Sequence, residues 1–316
     1  MDADTRAMLA GSVRALLQSQ PADLAAGLAE LGWDEVVADY GATAIELLFT
    51  EQGKAGVASA ALDGVLIAAS GGLNPSAARQ SLVVHPFGSL ASSVGNRRLR
   101  VDGVVLGEPS VAGSYVVAAD NCAAVYAVPT TSVAPAEPIA GFDPSSSLSR
   151  VRFDIAIDDA REHERGWEFA IAAARRALAC ELIGNGRAML DIAVEHVGQR
   201  NQFGRPIGAN QTPRHRLADA YVQLSAAREL VQIAYVSDRP WDATVAKTYA
   251  GYAVDTTSRA CLQVCGAMGL TSEHPLGGYV KRFRTLDALY GSWQQTMRAV
   301  GEQLLLARVI PRGVGV

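Results

Sequence analysis

Apolar residues recur at helical spacing through the first part of the chain. Between residues 6 and 17 they stand three or four positions apart, and the stripe returns at Leu24, Leu28 and Leu31 before Gly32. The segment Val57–Ala69 is rich in alanine and apolar throughout, which suits a helix buried on most sides. The period therefore predicts an N-terminal helical domain over residues 1–72.

The period changes to two between residues 73 and 157, where short β-branched segments are separated by Gly, Pro, Asn and Asp. This pattern is typical of strands in a small barrel or sandwich. Asp102-Gly103 predicts a hairpin turn, and the Pro- and Ser-rich stretch Thr130–Ser147 predicts an exposed connection. The expected strands are Gln80–Val84, Leu99–Val105, Tyr115–Ala118, Ala123–Val128 and Leu148–Phe153.

Residues 158–316 return to helical spacing almost throughout. Long helices joined by short loops predict an antiparallel four-helix bundle, so the fold class is mainly α with a small β domain. The four expected helices are Glu168–His196, Pro213–Val236, Asp242–Met268 and Thr285–Val309.

Composition narrows the classes of partner. Of the 316 residues, 49% are hydrophobic and 19% charged, and the formal charge is −4, so a basic surface for nucleic acid is excluded. The N-terminal Met1-Asp2-Ala3-Asp4 lacks the basic start of a secretory signal, and every apolar run falls short of the roughly 18 residues that span a membrane. We expect a cytoplasmic protein that is not attached to a membrane.

The cysteines and histidines carry no sequence motif for a metal. A Cys-x-x-Cys pair is absent, so buried, reduced thiols are expected and no metal site is predicted. His85, His163 and His196 have no neighbour in sequence that would complete a triad, and solvated or capping roles are expected for them. The cysteines are Cys122, Cys180, Cys261 and Cys265.

Two separate motifs do point to chemistry. The first is Arg200-x-Gln-Phe-Gly-x-Pro-Ile-Gly, followed by Gln211 and the stretch Arg214-His-Arg-Leu-Ala-Asp219. The second is the segment Gln263-Val-Cys-Gly-Ala-Met-Gly-Leu-Thr-Ser-Glu-His-Pro-Leu276. Both resemble flavin-contacting segments of the acyl-CoA dehydrogenases, and they occur in that family's order.

The resemblance implies the acyl-CoA dehydrogenase fold, with N-terminal helices, a short β barrel or sandwich and a C-terminal four-helix bundle. It is strong over residues 165–295 and thin before them. The earlier domains are abbreviated, and they lack the segments by which family members hold their own flavin ring.

The resemblance also implies a FAD site shared with another subunit. Arg200 offers a fork of donors suited to a diphosphate, Gln202 and Gln263 can bond ribose or adenine, and Phe203 can pack on the adenine. Gln211 and His215 could equally be exposed polar residues that open the next helix. The cofactor-binding residues implied are Arg200, Gln202, Phe203, Gln211, Gln263, Gly266 and Gly269.

The catalytic base of the family is missing. Counting from the motifs without gaps places Tyr290 and Ala174 at the two positions where family members carry the catalytic Glu. A neutral phenol is a poor base near pH 7, since it titrates near ~10. Glu168 would need an insertion to align with the second position. Glu181, further along the same helix, is expected to pair with Arg176 or Arg187.

The chain therefore looks like the smaller, base-lacking subunit of the actinobacterial α2β2 acyl-CoA dehydrogenases of steroid catabolism. That resemblance implies a larger catalytic partner subunit, a bulky and steroid-derived acyl-CoA thioester, and an electron-transfer flavoprotein as acceptor. Two alternatives stay open. One is a self-sufficient homotetramer with a relocated base such as Glu168, and the other is a non-catalytic scaffold for a partner dehydrogenase.

Overall fold

The structure is a computed structural model that describes residues 1–19, 24–70, 80–84, 92–107, 109, 113–119, 124–141, 143–159, 161–163 and 167–309. The predicted fold class is confirmed, because long helices dominate and the strands are short. The chain divides into two compact units. The first comprises Met1–Val57, Arg175–Asp287 and Ser292–Val316, and the second comprises Ala58–Ala174 with Ala288–Gly291.

Helices make up most of the described chain. Among the described residues, every helix is too short or too polar to cross a membrane. In chain order the helices are α1 (Ala3–Gln18), α2 (Leu24–Glu30), α3 (Trp33–Tyr40), α4 (Ala42–Ala55), α5 (Ala61–Ala69), α6 (Trp167–Gln199), α7 (Gln211–Ser237), α8 (Pro240–Cys265), α9 (Leu276–Ala288) and α10 (Trp293–Ala307).

Helix α1 begins at a cap and packs on α4. The side chain of Asp2 accepts a hydrogen bond of 2.9 Å from the backbone N–H of Thr5, which satisfies a donor that the first turn leaves unpaired. Val13 and Leu17 lie one turn apart and are both fully buried. An ion pair of 2.8 Å between Arg6 and the buried Glu46 ties the same helix to α4.

The bundle of the first unit is built from α6, α7 and α8 with the two shorter helices α9 and α10. Packing around α6 is close at Gly186, because a Cβ atom there would lie 2.7 Å from the side chain of Leu224 on α7 and 3.1 Å from that of Val254 on α8. Helices α7 and α8 pack against each other.

The prediction of one continuous fourth helix over residues 285–309 is wrong. Helix α9 ends at Ala288, and Tyr290 and Gly291 then take positive φ angles of 53° and 98° that no helix continues through. Ser292 and Gln295 form a capping box that starts α10. The break therefore has a local cause in the sequence Tyr-Gly-Ser-x-x-Gln.

The second unit contains two four-stranded sheets, in the strand orders β1-β4-β5-β8 and β2-β3-β7-β6. All neighbours pair antiparallel except β1 and β4, which are parallel. A separate hairpin of β9 and β10 lies in the first unit. The strands are β1 (Gln80–Val83), β2 (Ser92–Gly95), β3 (Arg98–Leu106), β4 (Ser114–Ala119), β5 (Ala124–Pro129), β6 (Glu137–Pro138), β7 (Leu148–Ala156), β8 (Arg161–His163), β9 (Asn201–Gln202) and β10 (Arg205–Pro206).

The core of the second unit lies between its two sheets. Alternate residues of β3 and β4 point inward, as Val101, Val105, Tyr115 and Val117 show, and all four are at most 2% exposed. The rings of Tyr115 and Phe153 lie 6.1 Å apart across the two sheets. The predicted period of two is thus confirmed for the main strands.

The predicted hairpin turn at Asp102-Gly103 is wrong, since both residues lie inside β3 and pair with β7. Asp102 faces arginines across the strands and binds Arg150 at 2.9 Å, which compensates its low strand propensity. The turn before β3 is formed by Asn96 and Arg97 instead, at φ angles of 52° and 58°. Two consecutive positive φ angles are the signature of a type I′ turn.

Asp63 is a buried acid on α5. Its carboxylate accepts one hydrogen bond of 3.2 Å from the N–H of Leu82, and burial raises its pKa from 3.8 to about 8. Because the folded pKa lies above the unfolded one, the contribution of Asp63 to stability is fully present below about pH 4 and is lost as the pH rises towards 8.

We expect Asp63→Asn to flatten this pH dependence and to raise stability by ~1–3 kcal/mol at pH 8, where the wild type must either keep the Asp63 carboxyl protonated or bury it charged. Urea titrations at pH 5 and pH 8 with circular dichroism measure both quantities. Asp158→Asn is the matched control, because Asp158 is exposed and its side chain remains 68% accessible beside Arg97. Equal pH profiles for wild type and Asp63→Asn would contradict the assignment.

Candidate functional site

The corner predicted by the first motif is a two-residue β-hairpin that follows α6. Strands β9 and β10 pair antiparallel, and the N–H of Ile207 donates to the carbonyl of Arg200 at 2.8 Å. Phe203 and Gly204 form the turn, with φ angles of 54° and 81°. A positive φ is unusual for an aromatic residue, and Phe203 is fully exposed at the tip. The hairpin therefore presents a large apolar ring outside any core.

The second motif forms a glycine turn at the end of α8. Gly266 takes φ 61° and ψ −148°, a conformation that side chains rarely allow, and a 3₁₀ turn continues to Leu270. Gly269 is buried, and a Cβ atom there would lie 2.9 Å from the Cβ of Cys265 and 3.1 Å from Leu276. Close packing inside the turn thus explains why residue 269 is glycine, without any contact to a ligand.

The tertiary structure brings the two motifs together. His196, in the last turn of α6 before Arg200, meets His274 of the glycine turn edge to face at 5.9 Å between ring centroids. Donor atoms of these two histidines and of Cys265 all lie within 4.8 Å of one another. Segments more than sixty residues apart in sequence, on α6 and after α8, therefore build one surface. His196 therefore has neighbours, His274 and Cys265, that its local sequence does not reveal.

Partial burial sets the electrostatics of this contact. The pKa of His196 is lowered, first by desolvation and then by the neighbouring positive charges of His274 and Arg200. Burial also raises the pKa of the Cys265 thiol. Cys180, Cys261 and Cys265 are free and buried as predicted, whereas Cys122 and His85 lie outside the described residues.

The side chains predicted to hold a cofactor are mostly exposed. Gly269 is the exception because it lies inside the turn. Gln211 is the first residue of α7, where the four backbone N–H groups of the first turn lack helical partners. A polar ligand can reach these groups without rearrangement of the core. The exposed residues are Arg200, Gln202, Phe203, Gln211, Gln263 and Gly266.

Neither of the two positions predicted for the family base carries a carboxylate. Ala174 lies on α6 and is fully buried, and Tyr290 lies in the positive-φ turn after α9. Glu168, the relocated base of one alternative, is exposed in the first turn of α6. Glu181 does not pair with Arg176 or Arg187 as predicted, because its carboxylate binds Arg282 of α9 at 2.6 Å.

A separate cleft of about 430 Å³ lies among α7, α8 and the start of α10, and sequence reasoning missed it. Arg216, Tyr252 and Trp293 line it, and the rings of Tyr252 and Trp293 are 5.6 Å apart. Its buried carboxylate, Asp255, binds Arg259 at 2.9 Å and Arg284 at 2.8 Å. Two guanidinium groups thus neutralise this acid, which leaves it poorly placed to act as a base.

Comparison with known families agrees with the motifs and the fold. Residues 164–305 match the acyl-CoA dehydrogenase C-terminal domain family. The family predicted from the two motifs is confirmed there. The chain spans about half the length of the curated relatives it matches first.

Individual relatives extend the likeness. The chain is 32% identical to the acyl-CoA dehydrogenase IpdE2 of Mycobacterium tuberculosis over 169 aligned residues. The alignment covers 54% of this chain and 52% of IpdE2. The fold of this chain is also similar to that of a chain in the ChsE4-ChsE5 complex of M. tuberculosis. The TM-score is 0.77 and the identity 18%, over 98% of this chain and 99% of the other. The fold is also similar to the Tcur3481-Tcur3483 steroid ACAD, with TM-score 0.75 and 19% identity over 96% and 99% of the two chains.

Proposed function

We propose that this chain is the base-lacking subunit of a heteromeric, FAD-dependent acyl-CoA dehydrogenase. The observation that carries the proposal is a mismatch within one chain. The two motifs meet at an exposed corner that carries side chains suited to a nucleotide, while counting from the motifs places Tyr290 and Ala174 at the positions expected for the family's catalytic Glu. A subunit that serves a partner's cofactor needs the first feature and can lose the second.

The exposed corner fits the adenosine and diphosphate half of FAD. The guanidinium of Arg200 can bind a diphosphate with two parallel hydrogen bonds, which are stronger than neutral ones. The amides of Gln202 and Gln263 can both donate and accept, as ribose hydroxyls and adenine edges require. Phe203 offers a stacking face, since its ring is fully exposed at the hairpin tip.

The reaction explains why a partner is required. When bound, the flavin accepts the β hydrogen of the acyl-CoA thioester as hydride, while a carboxylate removes the α proton. The described residues of this chain place no carboxylate at either family base position. We therefore assign the base and the ring pocket to a larger acyl-CoA dehydrogenase subunit, in an α2β2 assembly.

Exposed apolar side chains support a subunit interface. On α10 and just after it, Leu305, Leu306 and Val309 are 78%, 85% and 65% exposed, and Val236 on α7 is 74% exposed. Exposed apolar residues gathered on particular helices are typical of surfaces that another chain covers. They belong to the same structural unit as the hairpin corner.

The substrate class rests on similarity. The Tcur3481-Tcur3483 protein is a steroid ACAD, and this chain covers 99% of the matched chain, so we propose a bulky, steroid-derived acyl-CoA as substrate. The pairing of ChsE4 with ChsE5 in one complex supports a heteromer in the same way. An electron-transfer flavoprotein is the expected electron acceptor.

The sharpest test replaces Arg200 in the complex of this chain with its larger dehydrogenase subunit. We expect Arg200→Ala to weaken FAD binding by about 10–100-fold, the loss of a charge-assisted hydrogen-bonded pair, and turnover to fall with flavin occupancy. Flavin absorbance after gel filtration and turnover with saturating added FAD measure the two effects. Full flavin content in Arg200→Ala would reject the shared site.

Two control variants keep that test specific. Arg97→Ala removes an exposed arginine from the β3 turn and should leave flavin content unchanged, since Arg97 is 77% exposed and pairs only at the surface. Tyr290→Phe removes the phenol at the family base position and should change turnover less than about tenfold. A loss of a thousandfold or more, about 4 kcal/mol in barrier, would make Tyr290 the base.

The visible spectrum and the native mass of the purified protein distinguish the proposal from the two alternatives. Under the proposal, the chain alone is colourless and its heterotetramer with the larger subunit is yellow. A yellow, active homo-oligomer of the chain alone would favour the self-sufficient enzyme with a base such as Glu168. A complex whose flavin is insensitive to every change in the corner would favour the non-catalytic scaffold.

A further inference from the structure

Three side chains of types that can ligate a metal lie close together and come from three different elements of the first unit. His196 comes from the last turn of α6, Cys265 is the last residue of α8, and His274 lies in the turn before α9. One donor atom from each lies within 4.8 Å of the other two. Cys265 and His274 both belong to the second motif, whereas His196 precedes the first motif, and the sequence separates His196 from Cys265 by nearly seventy residues.

The donor set and its spacing suit a small, borderline-soft cation. Around zinc, bonds of about 2.0–2.1 Å to nitrogen and 2.3 Å to sulfur place tetrahedral ligand atoms about 3.3–3.7 Å apart. The observed limit of 4.8 Å therefore asks for side-chain shifts of roughly an ångström, within reach of χ rotations. Two imidazoles and one thiolate are ligands that zinc prefers over magnesium or calcium.

We propose that His196, Cys265 and His274 bind one zinc-type divalent transition-metal ion, with its fourth position filled by water. Cys265 is buried, while both histidines are partly accessible, so the open side of the site faces the histidines. Three protein ligands with an open fourth position are characteristic of zinc sites that can exchange a ligand. The site is independent of the proposed flavin function.

Two features at the histidines oppose metal binding. The backbone N–H of Leu276 donates to Nδ1 of His274 at 3.3 Å, a long hydrogen bond that is given up whichever ring nitrogen binds the metal. Arg200 also lies near enough to His196 to disfavour added positive charge. The thiolate offsets that charge, because a coordinating thiol is deprotonated outright.

A bound ion would brace the corner. It would join the end of α6, which leads into Arg200, to the end of α8, which leads into the glycine turn. Described contacts between these two segments otherwise include the edge-to-face pair of His196 and His274. Metal binding would therefore stabilise the surface on which the two sequence motifs meet.

The test uses the full-length chain without a histidine tag, alone or with its partner subunit, after removal of metal by a chelator. We expect it to bind about one Zn²⁺ per chain in competition with a chromophoric chelator. With Co²⁺ in place of Zn²⁺, we expect intense tetrahedral d–d bands and a thiolate-to-cobalt charge-transfer band. The cobalt spectrum reports on Cys265 without any substitution.

Cys265→Ala should abolish the charge-transfer band and weaken Zn²⁺ binding at least tenfold, about 1.4 kcal/mol. Cys261→Ala is the matched control, since Cys261 is a buried thiol one turn earlier on α8 and should leave both unchanged. His274→Gln should keep a charge-transfer band but lower the affinity. A parent protein without that band at saturating Co²⁺, or unchanged Zn²⁺ affinity in Cys265→Ala, would overturn the proposal.

Discussion

We expect Gly184→Ala to destabilise the protein by about 3 kcal/mol or more, because the substitution forces apart two helices whose backbones touch. A Cβ atom at Gly184 of α6 would overlap the carbonyl oxygen of Thr50 on α4 and lie 3.1 Å from the N–H nitrogen of Lys54. The reciprocal Gly53 of α4 would place its Cβ against the carbonyl of Glu181. Backbone atoms cannot rotate away as a side chain does, so one helix must move.

The measurement is urea unfolding followed by circular dichroism, with wild type and Gly184→Ala compared at one protein concentration. Gly11→Ala is the control, because Gly11 is exposed on α1 and its added Cβ meets nothing within 4 Å. That change should stabilise the helix by roughly 0.5–1 kcal/mol through chain entropy. A Gly184→Ala protein as stable as wild type would show that α4 and α6 do not cross this closely.

The second large effect is expected at the buried ion pair of Glu181 and Arg282. Their side chains are 3% and 6% exposed and meet at 2.6 Å, joining α6 to α9. Arg282→Met should destabilise the fold by about 3–5 kcal/mol, since it leaves the Glu181 carboxylate buried without its charged partner. Most of that cost is desolvation, so it reflects the orphaned charge more than the pair's net attraction.

A double variant tests this explanation. Glu181→Leu with Arg282→Met removes both charges, and we expect it to be more stable than Arg282→Met alone. Arg97→Ala gives the comparison at the surface, where the pair with Asp158 is worth less than about 1 kcal/mol. The measurement is the urea unfolding midpoint of wild type, Arg282→Met, the double variant and Arg97→Ala. A double variant no more stable than the single one would place the cost in packing around Arg282 rather than in charge.

Local signals in the sequence were enough for much of the architecture. The change of period from helical to two and back predicted the helices and the strand-rich segment, because burial of one face imposes that period on any amphipathic element. The break between α9 and α10 could also have been found, since Ser292 and Gln295 spell a capping box after Gly291. Apolar spacing continues across the break and predicts one helix, although Gly291 and the capping box mark its interruption.

Other features depend on partners that local sequence does not name. Asp102-Gly103 has the composition of a hairpin turn, yet Arg150 and Arg152 across the sheet hold Asp102 within β3. Glu181 had arginines nearby on its own helix, but its partner Arg282 lies about a hundred residues further along. Long-range pairing decides both cases because burial and a well-placed opposite charge outweigh local propensity.

The sequence by itself determined the resemblance to the family's C-terminal domain and the class of fold, and it predicted which residues are offered to a nucleotide, because each of these depends on contiguous motifs or on a local period. Only the tertiary structure decided that the two motifs form one corner and that Phe203 is exposed. It also decided that His196, Cys265 and His274 converge. Those outcomes follow from helix packing across the bundle, which sets distances between residues that the chain keeps far apart.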